Sequence, residues 1–147
     1  MVDHGKYDDL NTDQRVRFWD HMIGRHPGEE RYAERDKNGM RWHKLLDGRV
    51  VISLAIGIDF VRVFVRGGRG DDPAVVESLL APAGMRLSAA LGEPMRGRGE
   101  TDKFFSRRLD VDMNDESNWD RAADFLYHAA QLQEATLLAT LSAARCP

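Results

Sequence analysis

Residues 49–66 constrain the fold more than any other stretch of this chain, because they read as two β-strands joined by a tight turn at Gly57. In the second strand, Phe60-Val61-Arg62-Val63-Phe64-Val65-Arg66, side chains alternate across the pleat. Val61, Val63 and Val65 therefore share one face, and Phe60, Arg62, Phe64 and Arg66 share the other. The valine face calls for a hydrophobic core. The ring and guanidinium face calls for a partner or a covering layer.

Around this pair the chain alternates helical and extended patterns. Residues 1–10 are polar and without period, so a flexible arm is expected there. Asn11, Thr12 or Asp13 can cap a first helix that carries Val16, Trp19 and Ile23 on one stripe, with Phe18 and Met22 beside it, and ends near Gly24 and Pro27. The charged run 28–39 reads as a loop or a short solvated helix. Three strands follow over 40–46, 49–56 and 58–66, and Asp47-Gly48 supplies a hairpin turn tolerant of left-handed backbone. In the middle strand Ile52, Leu54 and Ile56 oppose Val51, Ser53 and Ala55.

Gly67 to Gly70 reads as a hinge before a helix capped by Asp72, with Pro73 at its first position. Val76, Leu80, Leu87 and Leu91 keep one helical face despite Pro82 and Gly84, which predicts a kinked helix or two short ones in line, stopped by Gly92. Residues 93–102 form a glycine- and arginine-rich crossing. Residues 104–112 alternate again as a fourth strand, with Phe105, Arg107, Leu109 and Val111 opposed to Phe104, Ser106, Arg108 and Asp110. From Ser117 or Asn118 a long helix reaches about Ala143, with Trp119, Ala123, Leu126, Ala130, Gln133, Leu137 and Leu141 at steps of three or four. Ser117 and Asp120 resemble a capping box at its start. At 1.5 Å per residue that helix approaches roughly 40 Å, so one end is expected to pack on a second copy.

The expected fold class is α+β: a mostly antiparallel sheet of about four strands packed with helices, in the order α-β-β-β-α-β-α with a long C-terminal helix. The chain of 147 residues suits a single domain that buries its own core. No long uncharged apolar run is present to suggest a spanning helix, and Met1 to Lys6 leads into no apolar segment of a secretory type, so the expectation is a cytoplasmic protein without a membrane partner.

A net charge of −3 argues against a surface that grips nucleic acid everywhere, while leaving room for a local basic patch. Of the 21 basic side chains only Lys6, Lys37, Lys44 and Lys103 are lysines. Arginine meets carboxylates and phosphates with a planar fork and stacks on rings, but a GC-rich genome yields the same bias through codon usage. The single cysteine, Cys146, excludes an internal disulfide and a cysteine metal cage.

Reactive constellations fail their tests. Residues 110–116 open like a calcium loop, but the sixth position is Asp115 rather than glycine and the twelfth is Arg121 rather than glutamate. No lysine follows an acidic residue at the spacing of restriction-type nuclease sites: His4, Arg35, Trp42 and Thr101 stand two positions before the four lysines. The histidines His4, His21, His26, His43 and His128 show no pairing at metal spacing on one helix turn. No Gly-x-Ser-x-Gly elbow exists, and Gly67-Gly68-Arg69-Gly70 matches neither phosphate-loop pattern. Accordingly no catalytic residue, metal or cofactor is assigned.

What remains is the sheet face of Phe60, Arg62, Phe64 and Arg66, with Trp42 from the first strand and Arg107 or Arg108 from the fourth. Interleaved rings and guanidinium groups suit base stacking with phosphate contacts, as on single-strand-binding sheets. They also suit a protein interface, where arginine and aromatic residues are enriched. A third reading has helices covering this face, with the arginines reaching its edge. The sequence therefore implies a non-catalytic binding or accessory domain that works through this face or the C-terminal helix and self-associates, with a nucleic-acid-binding accessory role as the alternative.

The order of signals resembles a family of bacterial domains of unknown function, often appended to restriction-type nuclease domains. The resemblance spans about Gln14 to Leu141. It rests on Phe18-Trp19, Trp42, Ile52-Ser53-Leu54, Asp59, Val61-Arg62-Val63, Leu91-Gly92-Glu93-Pro94, Ser106-Arg107-Arg108-Leu109 and Trp119. It implies company with nucleases and no particular activity.

Overall fold

The computed structural model describes residues 10–28, 34–35, 40–68, 72–96 and 103–145. Five strands, β1 (Glu34–Arg35), β2 (Met40–Leu45), β3 (Val50–Ile56), β4 (Phe60–Gly67) and β5 (Phe104–Asp110), form one antiparallel sheet in sequence order. Four helices accompany it: α1 (Thr12–Arg25), α2 (Pro73–Leu80), α3 (Gly84–Leu91) and α4 (Trp119–Arg145). The fold is α+β with a long C-terminal helix, in the expected order of main elements. The two-residue β1 lies in the charged run read as a loop or helix and pairs with β2. The arm and hinge expectations for residues 1–9 and 69–70 fall outside the described residues. Leu10, placed in the arm by sequence, is 2% exposed and belongs to the core.

The meander is built from its turns. Between β2 and β3 three consecutive residues, Leu46, Asp47 and Gly48, take left-handed backbone at φ 51°, 59° and 83°, which reverses the chain tightly. In the next turn the Gly57 amide donates to the Phe60 carbonyl at 2.9 Å. Register then fixes the faces. Ile52, Leu54 and Ile56 lie opposite Val65, Val63 and Val61, and directly opposed residues of an antiparallel pair share a face. All six are buried. This is the core face, and the helices lie against it.

The α4 stripe read from the sequence is buried at every position, from Trp119 through Ala123, Leu126, Ala130, Gln133 and Leu137 to Leu141. The helix begins later than the capping-box expectation. Asp115, not Ser117, does the capping: its carboxylate accepts the Ser117 amide at 3.0 Å and heads a 3-10 turn over Glu116–Asn118. The segment 73–91 is two helices separated by a 3-10 turn at Ala81–Ala83, with Asp72 capping α2 and left-handed Gly92 ending α3. Taken by length and composition alone, Pro73–Leu91 is apolar enough to cross a membrane, but Glu77 and Arg86 interrupt it, so it is not a long uncharged apolar run. Its inner stripe of Val76, Leu80, Ala83, Leu87 and Leu91 lies in the core.

The first helix opens with Asn11, which accepts the Gln14 amide at 2.8 Å while the Gln14 side chain accepts the Asn11 amide at 3.0 Å, a reciprocal capping box. Its buried residues are Phe18, Trp19 and Met22, while Val16 is exposed. The burial stripe is thus rotated from the expected Val16-Trp19-Ile23 line, because Phe18 meets Trp119 of α4 edge to face at 5.6 Å.

Candidate binding face

The sheet face turned away from the helices collects the side chains singled out by sequence. Register places Trp42, Ser53 and Phe64 in one row across β2, β3 and β4. Lys44, Val51 and Arg66 form the row on one side of it. Met40, Ala55, Arg62 and Arg108 form the row on the other, and Phe60 stands opposite Asp110 at the end.

Cations cover rings along this face. The Arg66 guanidinium lies 5.3 Å from the Trp42 ring centroid, Arg62 lies 5.7 Å from Phe64, and Arg108 lies 4.4 Å from Phe60. The Lys103 ammonium lies 5.6 Å from the same Phe64 ring. All four are within cation–π reach. Two small hydroxyl side chains set the guanidinium positions: Arg66 Nε donates to Ser53 Oγ at 2.8 Å, and Arg62 Nε donates to Ser106 Oγ at 2.5 Å. Arg66 Nη1 also donates to the Gly67 carbonyl at 3.1 Å. Arg108 Nε donates to Asp110 Oδ1 at 2.8 Å, and its guanidinium reaches Asp59 at 3.8 Å.

The layering has a chemical consequence. Phe64 is 2% exposed and Ser53 is wholly buried, whereas Arg62 and Arg66 are half-buried and Arg108 is exposed. Among the described residues, Phe64 thus lies beneath cations, whereas Trp42 and Phe60 are half-buried beside the guanidinium groups that pack on them. A base cannot stack on Phe64 without displacing the cations above it.

Of the sequence-named residues, Trp42, Phe60, Arg62, Phe64, Arg66 and Arg108 are brought together. Arg107 is not. It lies opposite Val63 and so belongs to the helix side of the sheet, exposed at its outer strand. The alternation read for this strand also fails at its start, where the register shifts between Val63 and Val65. Phe104 pairs with Val65 on the core face, and Phe105 takes left-handed backbone at φ 50°. The Phe105 carbonyl accepts Gln133 Nε2 at 2.8 Å, and its amide donates to the Met95 carbonyl at 3.0 Å.

A second polar cluster joins α1 to α4, made of histidines that the sequence left as single residues. His21 Nε2 sits 2.8 Å from Asp120 and His26 Nε2 sits 2.6 Å from Asp124. Arg25 forks onto both Asp124 oxygens at 2.7 and 2.9 Å, and the His26 ring stacks on Tyr127 at 4.0 Å. The Arg25 guanidinium, helped by His26, holds the Asp124 carboxyl well below the usual carboxylate range. The partners are 98 and 99 positions apart, so no local spacing signals them. Their geometry clasps the two helices together. Among the described residues no three His, Cys, Asp or Glu side chains are grouped to hold a metal ion. In the segment read as calcium-loop-like, Asp112 accepts the Asn114 amide and Asp115 accepts from Ser117, so these carboxylates serve the turn.

No protein-family model, curated protein or solved structure matches the chain.

Proposed function

We propose that this domain is a non-catalytic binding module that engages an acidic protein surface through the cation-covered sheet face of Trp42, Phe60, Arg62, Phe64, Arg66 and Arg108. The observation that carries this reading is the seating of the guanidinium groups: Arg62 and Arg66 pack on Phe64 and Trp42 and are tied at Nε to Ser106 and Ser53. A guanidinium held in place by its Nε bond loses less freedom when it meets a carboxylate, and such charge-assisted contacts are stronger than neutral ones. Arginine with aromatic residues is also the composition enriched at protein interfaces.

Nucleic acid is the alternative partner for the same cations, taken chiefly by phosphates because Phe64 is buried beneath them. The two separate in one experiment. Fluorescence anisotropy of a labelled glutamate-rich peptide and of a labelled single-stranded oligonucleotide is followed against the domain through a salt series. The expected result is peptide binding that Arg62→Ala and Arg66→Ala each weaken by about tenfold or more. Oligonucleotide binding that falls steeply with salt and exceeds peptide binding would favour the phosphate reading. If neither probe binds at low salt, the face has no anion-binding role.

A further inference from the structure

The sheet has two outer strands, and they differ. The β1 side is a two-residue strand, while β5 runs over seven residues beyond β4. The ladder phase of β5 follows from one bond: the Val111 amide donates to the Asp59 carbonyl at 3.1 Å. Alternation along an antiparallel pair then turns the backbone groups of Leu109 toward β4 and those of Arg108 and Asp110 outward. Among the described residues no backbone group takes these outward donors and acceptors. The start of the strand, by contrast, is closed by the Met95 carbonyl and Gln133.

We infer that the outer edge of β5 pairs antiparallel with the same edge of a second copy of this chain, about a twofold axis at Leu109. Charge selects this register. Outward-facing residues must meet outward-facing residues, which leaves three arrangements near the middle of the edge. Placing Arg108 against the partner's Arg108 opposes like charges, and so does placing Asp110 against the partner's Asp110. Only the register between them sets Arg108 against the partner's Asp110, and symmetry repeats the pair. Leu109 then meets the partner's Leu109 at a non-hydrogen-bonded position.

Charged side chains on an outer strand normally discourage pairing with foreign chains. The segment Arg108-Leu109-Asp110 keeps that protection while being complementary to its own reverse. Both charges already lie on the face opposite the helices, since Arg108 stands opposite Arg62 and Asp110 opposite Phe60. Joining two copies this way makes one continuous sheet and brings the two Arg108-over-Phe60 contacts to either side of the axis. The inference does not depend on what the cationic face binds.

Sedimentation equilibrium on the full chain tests it. The wild-type protein is expected to be dimeric at roughly 100 µM. Asp110→Arg, which sets arginine against arginine twice, weakens the dimer by about tenfold or more, and the double variant R108D/D110R restores it. Circular dichroism identifies any variant that fails to fold. A variant built on Leu109 provides the independent arm: Leu109→Cys in a Cys146→Ser background forms a covalent dimer under mild oxidation, because opposed Cα atoms at a non-hydrogen-bonded site lie about 4.5 Å apart, within disulfide reach. A monomeric wild-type protein overturns the inference. So does a dimer indifferent to Asp110→Arg, or a Leu109→Cys chain that stays uncrosslinked.

Discussion

Trp119 is where a single substitution should be felt most widely, because one ring fastens three elements. It is 4% exposed at the first position of α4. Its indole Nε1 donates to the buried Met113 carbonyl at 2.9 Å, its ring meets Phe18 of α1 edge to face at 5.6 Å and 88°, and the Arg17 guanidinium lies 5.5 Å above it. Trp119→Phe keeps an aromatic ring but removes the donor. The orphaned Met113 carbonyl costs about 1–3 kcal/mol, and the smaller ring gives up roughly 1 kcal/mol of buried apolar surface. A loss of about 2–4 kcal/mol is therefore expected, a large part of the 5–15 kcal/mol typical of a domain. Trp119→Ala should lose about 4–5 kcal/mol, because the cavity adds to the orphaned carbonyl. Urea unfolding followed by far-ultraviolet circular dichroism measures both, with an unchanged slope expected. A double-mutant cycle with Phe18→Leu isolates the ring contact, expected at about 0.5–1.5 kcal/mol. A Trp119→Phe protein within about 0.5 kcal/mol of wild type would refute the claim that the indole bond holds the turn before α4.

Two further outcomes follow from the geometry. Gly92 ends α3 at φ 72° with no atom within 4 Å of where a Cβ would sit, so Gly92→Ala should cost about 1 kcal/mol through backbone conformation alone, and Gly92→Asn less, as read by urea unfolding. Asp124, its carboxyl held below the ordinary carboxylate value of 3.8 by Arg25 and then His26, contributes stability that is present above that value and lost as pH falls below it toward the folded-state pKa. Asp124→Asn should flatten the acid limb of a thermal-melting series, and identical limbs for variant and wild type would remove this carboxylate from the account of acid unfolding.

How much of this was legible in the sequence depends on whether one element could decide its own phase. A 27-residue helix laid across a sheet has a single 3.6-residue stripe, which is why the α4 positions from Trp119 to Leu141 could be read in advance. The valines of β4 and the Ile52-Leu54-Ile56 set were legible for the same reason at period two. The short α1 offered apolar residues over nearly half its circumference, at Val16, Phe18, Trp19, Met22 and Ile23. Which of them turned inward was settled by Trp119, a residue a hundred positions away. The two-residue β1 carries too few residues to show a period. The histidine and aspartate clasp was invisible because each partner is ordinary in its own helix.

The β5 bulge shows most clearly why alternation alone was insufficient. Phe104 and Phe105 are both fully buried, which a regular strand with one covered face does not provide for neighbours in sequence. Inserting one left-handed residue resolves the conflict, and a phenylalanine rarely adopts that backbone unless its surroundings hold it there. Here Met95 takes the Phe105 amide and the buried Gln133 takes its carbonyl. The phase of everything downstream follows from that insertion: Arg108 joins the cationic face while Arg107 crosses to the helix side. Two adjacent arginines with nothing in their own chemistry to tell them apart thus acquire different surroundings from a glutamine 25 or more positions along the chain.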